Sequence, residues 1–458
     1  MNGLLLEETV RRILRDEFGM LCSGSVFMNA GEAVRSAQRA FGAYSSLTLS
    51  DRRRVIEEVR TALKPLIPKL AELCVEETGM GRVEDKKRKI ALAIDMTPGV
   101  EDLISEVKSG DGGLTLYELS AWGVVCAIHP CNNPCATLVN NTISLLAAGN
   151  AVIHIPHPRA VNVTRLLVKT IDEAIEKSCG VDNLVSTVFE SSMSAAYELM
   201  THPDVQMIVS TGGTDVLRRA MSCGKKVVGA GPGNPVAVVD ETADIEKASA
   251  DILEGASFDN NLMCISEKSV VVVESVADRL LRAMERRGAL LLGRLEDVLS
   301  LVAVTVTNDR MPNKALEGKD AAEILRAAGL TEVGSPRVIL IEVEREHPFV
   351  TLEMRMPLLP LIRVRDFNEA MEAALEIEQG FGHTAIMHSQ NIERLSYAAK
   401  TMQTSIFVKN SSSLAGIGVG GEGSISFTIA TATGEGTTTA RHFTRRRRCV
   451  LTESFSIR

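Results

Sequence analysis

Cys264 closes the run Ser257-Phe258-Asp259-Asn260-Asn261-Leu262-Met263-Cys264, between an expected helix and an expected strand from Lys268 to Val273. A thiol at such a junction can be exposed, and only its thiolate is an effective nucleophile. Cysteine also serves as a small buried apolar group, so local context leaves both roles open. A second candidate is Ser210-Thr211-Gly212-Gly213-Thr214, which follows an expected strand, Val205 to Val209, and opens a helix from Asp215. Small residues there let backbone N–H groups reach a pyrophosphate, with Thr214 as the helix cap. A bare strand-to-helix turn fits the composition equally well. Gly416, Gly418 and Gly421 match Gly-x-Gly-x-x-Gly. A dinucleotide fingerprint needs a strand before it and a helix after it, whereas Ser424 to Ile429 continues as strand-like sequence; the glycines suit a loop that closely approaches a ligand or another chain. His129, Cys126, Cys131 and Cys135 crowd into ten residues, but their spacing fits no zinc or ferredoxin pattern, and no metal site is expected.

The elements that must position these residues follow from periodicity. Helical patterns cover Glu32 to Tyr44 and Asp51 to Glu77. A short strand is expected from Leu114 to Leu119, extended from Trp122. Strand and helix signals then alternate: Val124 to Ile128, Thr137 to Ala148, Ala151 to Ile155, Val161 to Glu176, Leu184 to Phe189, Ala195 to Met200, Val205 to Val209 and Asp215 to Met221. Four β-α units in a row imply a parallel sheet. A second α/β series runs from Val236 through a helix at Ala243 to Gly255 and on to Val408, and the Gly- and Thr-rich stretch from Gly416 to Thr439 lacks helical period. At the N-terminus, Leu6, Val10, Ile13 and Leu14 form an apolar stripe among Glu7, Glu8, Arg11, Arg12, Arg15 and Asp16, an amphipathic helix. A link rich in small residues follows.

Composition narrows the classes. A chain of 458 residues suits two or three domains. Its net charge of −8 speaks against a nucleic-acid partner, which requires clustered positive charge. The one basic run, Arg445 to Arg448, suits a solvated or subunit-pairing strand end better than an anionic ligand site. Nine cysteines without a paired framework fit a reducing cytoplasmic compartment. No apolar run approaches the roughly 20 residues of a membrane span, and the N-terminus lacks a signal-type pattern. The expectation is an intracellular protein without membrane attachment.

Taken in order, Ala151-Val152-Ile153-His154-Ile155-Pro156-His157-Pro158-Arg159-Ala160, the Thr211-Gly212-Gly213-Thr214 turn, Gly229-Ala230-Gly231-Pro232-Gly233-Asn234-Pro235, the Cys264 segment, Glu353-Met354-Arg355-Met356-Pro357, Gly382-His383-Thr384-Ala385 and Gly420-Gly421-Glu422-Gly423 resemble the CoA-acylating branch of the aldehyde dehydrogenase superfamily. The resemblance spans residues 30 to 458. It implies an α/β, aldehyde dehydrogenase-like fold with a Rossmann-like cofactor lobe, a catalytic lobe and an oligomerisation arm. The implied organisation is an encapsulation-peptide-like helix at 1–18, a linker at 19–31, a cofactor-binding domain at 32–235 with an oligomerisation hairpin near 105–122, a catalytic domain at 236–415, and a tail at 416–458 that closes the site and contributes to oligomerisation. A homodimer or homotetramer follows from the same resemblance, as does a place in the lumen of a bacterial microcompartment, with residues 1–18 binding shell proteins.

By that resemblance Cys264 is the nucleophile, which attacks a short aliphatic aldehyde, propionaldehyde or acetaldehyde. The loop Pro130-Cys131-Asn132-Asn133-Pro134 matches the oxyanion-hole loop, with Asn132 as the amide donor and Asn133 as the alternative. NAD would be held by Pro156, His157, Pro158, Thr211, Gly212, Gly213, Thr214, Gly229, Glu353 and His383, with Glu353 on the nicotinamide ribose. Hydrolytic relatives carry a glutamate about 35 residues before the cysteine as the base that activates water; here the position is Gly229. Without that base, worth about 10²–10⁴-fold, coenzyme A is the expected acyl acceptor. The rivals are an acid-forming dehydrogenase, opposed by Gly229, a glutamyl-phosphate-type reductase, opposed by the N-terminal helix, and a non-catalytic shell adaptor, opposed by an intact Cys264 with Glu353.

Overall fold

A computed structural model describes residues 24–330 and 335–457. The expected encapsulation helix, 1–18, lies outside the described residues. The chain divides into two compact units: residues 24–73, Ile90–Gly229 and 438–457 form the first, Cys74–Lys89 and Ala230–Thr437 the second. The stretch expected as one tail, 416–458, is thus shared between them.

The first unit holds a six-stranded sheet in the order Val26–Phe27, Val185–Val188, Ala151–Ile155, Val124–Ile128, Val205–Ser210, Lys226–Gly229. Every pairing is parallel, as the run of β-α units requires. Val124–Ile128 and Ala151–Ile155 are buried along their whole length. Near-continuous apolar strands of this kind belong in a sheet covered on both faces. Val26–Phe27 extends the sheet at its edge, where the sequence suggested only a flexible link; two residues are too short to show an alternating pattern. The helical stretch expected from Asp51 to Glu77 is broken into Leu49–Leu63, a 3-10 turn at Lys64–Leu66 and Ile67–Thr78. Pro65 and Pro68 cannot donate backbone hydrogen bonds and crowd the preceding turn. Thr48 starts the first of these helices through a reciprocal cap with Asp51.

A separate antiparallel sheet in this unit pairs Glu106–Gly110 with Gly113–Ala121, and the latter with Thr444–Thr452. Arg445 to Arg448 lie on the outer strand and are exposed, with the Arg446 guanidinium 3.9 Å from the centre of the Tyr117 ring. The basic run therefore belongs to a strand, stacked and solvated.

The second unit carries a seven-stranded sheet, also parallel throughout: Leu290–Leu292, Ile339–Glu342, Leu358–Val364, Ser269–Val273, Val236–Val239, Thr384–His388, Ile406–Lys409. Asp244 caps the helix Ile245–Ser257, accepting from the Lys247 N–H at 3.1 Å. Gly416 packs against Ile406, so closely that a Cβ there would meet its Cγ2 at 2.4 Å, and Gly418 ends a 3-10 turn with φ +87°. No helix follows those glycines, so they are packing and turn residues. Among the described residues, no helix is long and apolar enough to cross a membrane.

Candidate active site

In the first unit the chain runs outward from Val124–Ile128 through two strands on one side, then returns to place Val205–Ser210 on the other. Ligands of such sheets bind beyond the carboxyl ends of the strands where the order reverses. The expected loops gather there. His129 to Asn133 leaves Val124–Ile128, Pro156 to Pro158 leaves the neighbouring strand, and Thr211 to Thr214 leaves Val205–Ser210. The His129 N–H donates to the Ile155 carbonyl and the Thr211 N–H to the Ile128 carbonyl, both at 3.0 Å, which ties the three loops side by side. Gly229 is the last residue of the adjacent strand and lies outside the positive-φ glycines.

These residues fit a dinucleotide. The helix Thr214–Ser222 has no side-chain cap at its N-terminus, and its N-cap is Gly213 rather than the expected Thr214, which is the first helical residue. A Cβ on Gly213 would meet nothing within 4 Å. The approach to the amides and positive end of the helix dipole is therefore open to an anion. At the root of the loop the buried Ser210 Oγ has no hydrogen-bond partner among the described residues. Asn132 is half-buried and Asn133 buried, and the Asn133 side chain does not cap the helix Pro134–Ala148 that follows it. His129 is committed elsewhere: its Nε2 lies 2.7 Å from His154 Nδ1, and burial pushes its pKa down to about 3. Among the described residues no group of three or more His, Cys, Asp or Glu could hold a metal ion.

In the second unit the candidates collect at the opposite kind of edge. Cys264 precedes Ser269–Val273, Glu353 precedes Leu358–Val364, and His383 precedes Thr384–His388. Ser269–Val273 lies directly beside Leu358–Val364 on one side and Val236–Val239 on the other, with Thr384–His388 next in order. Neighbouring parallel strands thus bring three distant segments to one amino-terminal edge.

The loop before Cys264 is unusual. Asp259, Asn260 and Asn261 all adopt positive φ, at 48°, 55° and 63°. A left-handed conformation costs a residue with a side chain about 1–2 kcal/mol, least for Asp and Asn. Each of the three is held by its side chain. The Asp259 carboxylate accepts from Lys86 at 2.8 Å, from Lys89, and from the Arg82 N–H at 2.9 Å. Asn260 Nδ2 donates to the Gly318 carbonyl and Asp320 Oδ1, and Asn261 Nδ2 to the Ala256 and Glu267 carbonyls, all at 2.9 Å. Gly81 allows the carboxylate in: a Cβ there would stand 2.2 Å from Asp259 Oδ1.

Cys264 itself is half-buried. Burial, reinforced by the Glu353 carboxylate, pushes its thiol up to about 12, while the Lys268 and Lys89 ammoniums act the other way. Burial likewise raises Glu353, against the pull of Lys268 and Arg355. His383 is buried and held neutral, lowered to about 4 by burial and by Lys268. Its Nδ1 lies 2.8 Å from Thr384 Oγ1, and its Nε2 has no partner among the described residues. Gly233 makes room for the ring, since a Cβ there would meet His383 Cγ at 2.7 Å. The Lys268 charge thus acts on Cys264, Glu353 and His383 alike. The sequence did not reveal Lys86, Lys89 and Lys268. The Asp-Asn-Asn run was the available signal, because those residue types tolerate left-handed backbone.

Residues 25–424 match the model of the aldehyde dehydrogenase family. A propanal dehydrogenase (CoA-propanoylating) of Salmonella typhimurium is 48% identical over 466 residues, covering 100% of both chains. The structure of Rhodopseudomonas palustris propionaldehyde dehydrogenase with bound CoA and an acylated cysteine superposes with a TM-score of 0.93 at 44% identity, over 95% of this chain and 99% of that one. A propionaldehyde dehydrogenase from the fucose utilisation bacterial microcompartment of Clostridium phytofermentans gives 0.93 at 40% identity, over 95% and 100%.

Proposed function

The chain belongs to the aldehyde dehydrogenase family, and from that premise we propose that it oxidises propionaldehyde or acetaldehyde with NAD and passes the acyl group to coenzyme A through a thioester on Cys264. The observation that carries this reading is the Cys264 loop. Three consecutive left-handed residues, each fixed by buried hydrogen bonds, lead into a half-buried thiol whose ionisation is opposed by Glu353 and favoured by Lys268. Strain of this kind is characteristic of functional sites.

The Cys264 sulfur attacks the aldehyde carbon, forming the C–S bond as the carbonyl oxygen takes up negative charge. The Asn132 amide, or that of Asn133, donates to that oxygen, and such a donor is worth about 10²–10³-fold in rate. NAD, when bound, supplies the acceptor for the hydride that leaves the carbon. Thr211, Gly212, Gly213 and Thr214 would hold the pyrophosphate at the open helix N-terminus, with Pro156, His157 and Pro158 at the adjoining strand end, Glu353 would hold the nicotinamide ribose, and His383 would complete the cofactor site. Coenzyme A then attacks the acyl carbon through its thiolate, and the Cys264 thiolate leaves. Gly229 offers no base to water, so the acyl group waits for the thiol.

The test is NADH formation from propionaldehyde with and without coenzyme A. Steady turnover should require coenzyme A and yield propionyl-CoA; equal turnover without it, yielding propionate, would support the acid-forming rival, and no turnover in either case the shell adaptor. Similarity to a microcompartment enzyme and the amphipathic pattern at 1–18 support a place in such a lumen, with those residues binding shell proteins. A homodimer or homotetramer would use the antiparallel sheet of the first unit.

A further inference from the structure

Lys268 takes no part in the steps above, yet its charge acts on Cys264, Glu353 and His383 alike. Its Nζ donates to both the carbonyl and the Oδ1 of Asn261, each at 2.6 Å. Asn261 stands three residues before Cys264 with φ 63° and spends its own amide on Ala256 and Glu267. One ammonium thus clips the end of the strained loop to the strand that follows it. The side chain is only 3% exposed, and both its acceptors belong to one neutral residue. A buried charge is costly where a neutral donor could make the same bonds, so retention of an ammonium here points to a use for the charge.

The groups facing Lys268 are Glu353, Cys264, Arg355, Glu267 and His383. Those facing Cys264 are Glu353, Lys268 and Lys89. Of these, Cys264 is the one that the reaction requires to gain negative charge. Resting on the assignment of Cys264 as nucleophile, we propose that Lys268 is a positioning residue for acylation: it holds the Cys264 loop through Asn261, and its charge favours the thiolate over the thiol. The thiol proton leaves to water; Lys268 keeps its own and exchanges none with sulfur. Burial lowers the lysine to about 8, which leaves it charged through most of the neutral range.

The test follows the alkylation of Cys264 by iodoacetamide from pH 6 to 10, read on the Cys264 peptide by mass spectrometry so that the other cysteines do not contribute. Lys268→Gln can still donate to Asn261 and removes only the charge; Lys268→Met removes both; Lys268→Arg restores the charge. Melting curves establish that each variant is folded. The expected result is a fall of tenfold or more at pH 7 in the Gln and Met variants, narrowing above about pH 8 as wild-type Lys268 loses its own proton. The Arg variant should recover to within about threefold of wild type. The chemical step should fall with the alkylation rate, lowering kcat more than it raises KM for the aldehyde. A folded Lys268→Gln protein whose profile superimposes on wild type would overturn the electrostatic role. Failure of the underlying assignment looks different: wild-type enzyme fully alkylated at Cys264 would keep its activity.

Discussion

Cys264 sits in surroundings that keep its thiol protonated at rest, with burial and Glu353 opposing ionisation and lysines favouring it. Such a thiol is a slow nucleophile at rest, so its ionisation is a step on which the surrounding lysines can act. The proposed lack of a base at Gly229 makes a sharp test. Gly229 ends a strand and is not in the left-handed region, so a larger residue meets no penalty from positive φ. Gly229→Glu should raise acid formation without coenzyme A by about tenfold or more, consistent with the worth of a placed general base, while CoA-dependent turnover falls. Product analysis by chromatography reads both; a folded variant that forms acid at the wild-type rate would mean that something other than the absent base protects the thioester. At this scale the sequence was legible where a residue sits at a junction between periodic elements, as Cys264 does. It was silent on Lys268, because no local pattern distinguishes a buried lysine from a solvated one.

The two sheets place their chemistry at different edges. In the first, loops leave the carboxyl ends of strands at the point where the order reverses; in the second, Cys264, Glu353 and His383 enter the amino ends of near neighbours. The strands and most helices were readable because Val- and Ile-rich runs alternate with amphipathic ones. Boundaries were lost where proline interrupts helical period, as at Pro65 and Pro68, and where Val26–Phe27 is too short to carry a pattern. The Cys264 loop depends on an element far away in sequence, since Lys86 and Lys89 come from the segment around the helix Val83–Met96. Asp259→Asn would leave two buried ammoniums facing a neutral amide. Breaking a buried ion pair by removing one partner costs about 3–5 kcal/mol, so the variant should melt several degrees lower and lose most of its turnover. Lys86 and Lys89 hold the Asp259 carboxylate below the usual range despite burial. Its stabilising contribution is therefore present above the unfolded carboxylate pKa, about 4, and lost as pH falls through the lower folded value. Thermal scans from pH 7 to 3 should show the gap between wild type and variant closing only at the acid end. An unchanged melting temperature at pH 7 would contradict this account.

For the molecule as a whole, the described residues form two α/β units, each with an entirely parallel main sheet and its own set of candidate residues. The division into two α/β series was visible in the sequence. The sharing of the 416–458 segment between units was not, because pairing of Thr444–Thr452 with Gly113–Ala121 is a contact across more than three hundred residues and leaves no local trace. In residues 1–18 the sequence places Leu6, Val10, Ile13 and Leu14 at helical spacing, and their proposed role is to bind shell proteins. Deleting them should leave kcat and KM within about twofold of the full chain while abolishing co-sedimentation with microcompartment shells; retention of shell binding would assign that function elsewhere.

The most direct measurement is mass spectrometry of the Cys264 peptide after mixing the enzyme with propionaldehyde and NAD in the absence of coenzyme A. A propionyl group is expected on Cys264, formed with one NADH per site and discharged as propionyl-CoA when coenzyme A is added. A protein that turns over with coenzyme A yet shows no acyl group on Cys264, or whose Cys264→Ala variant keeps that turnover, would contradict it.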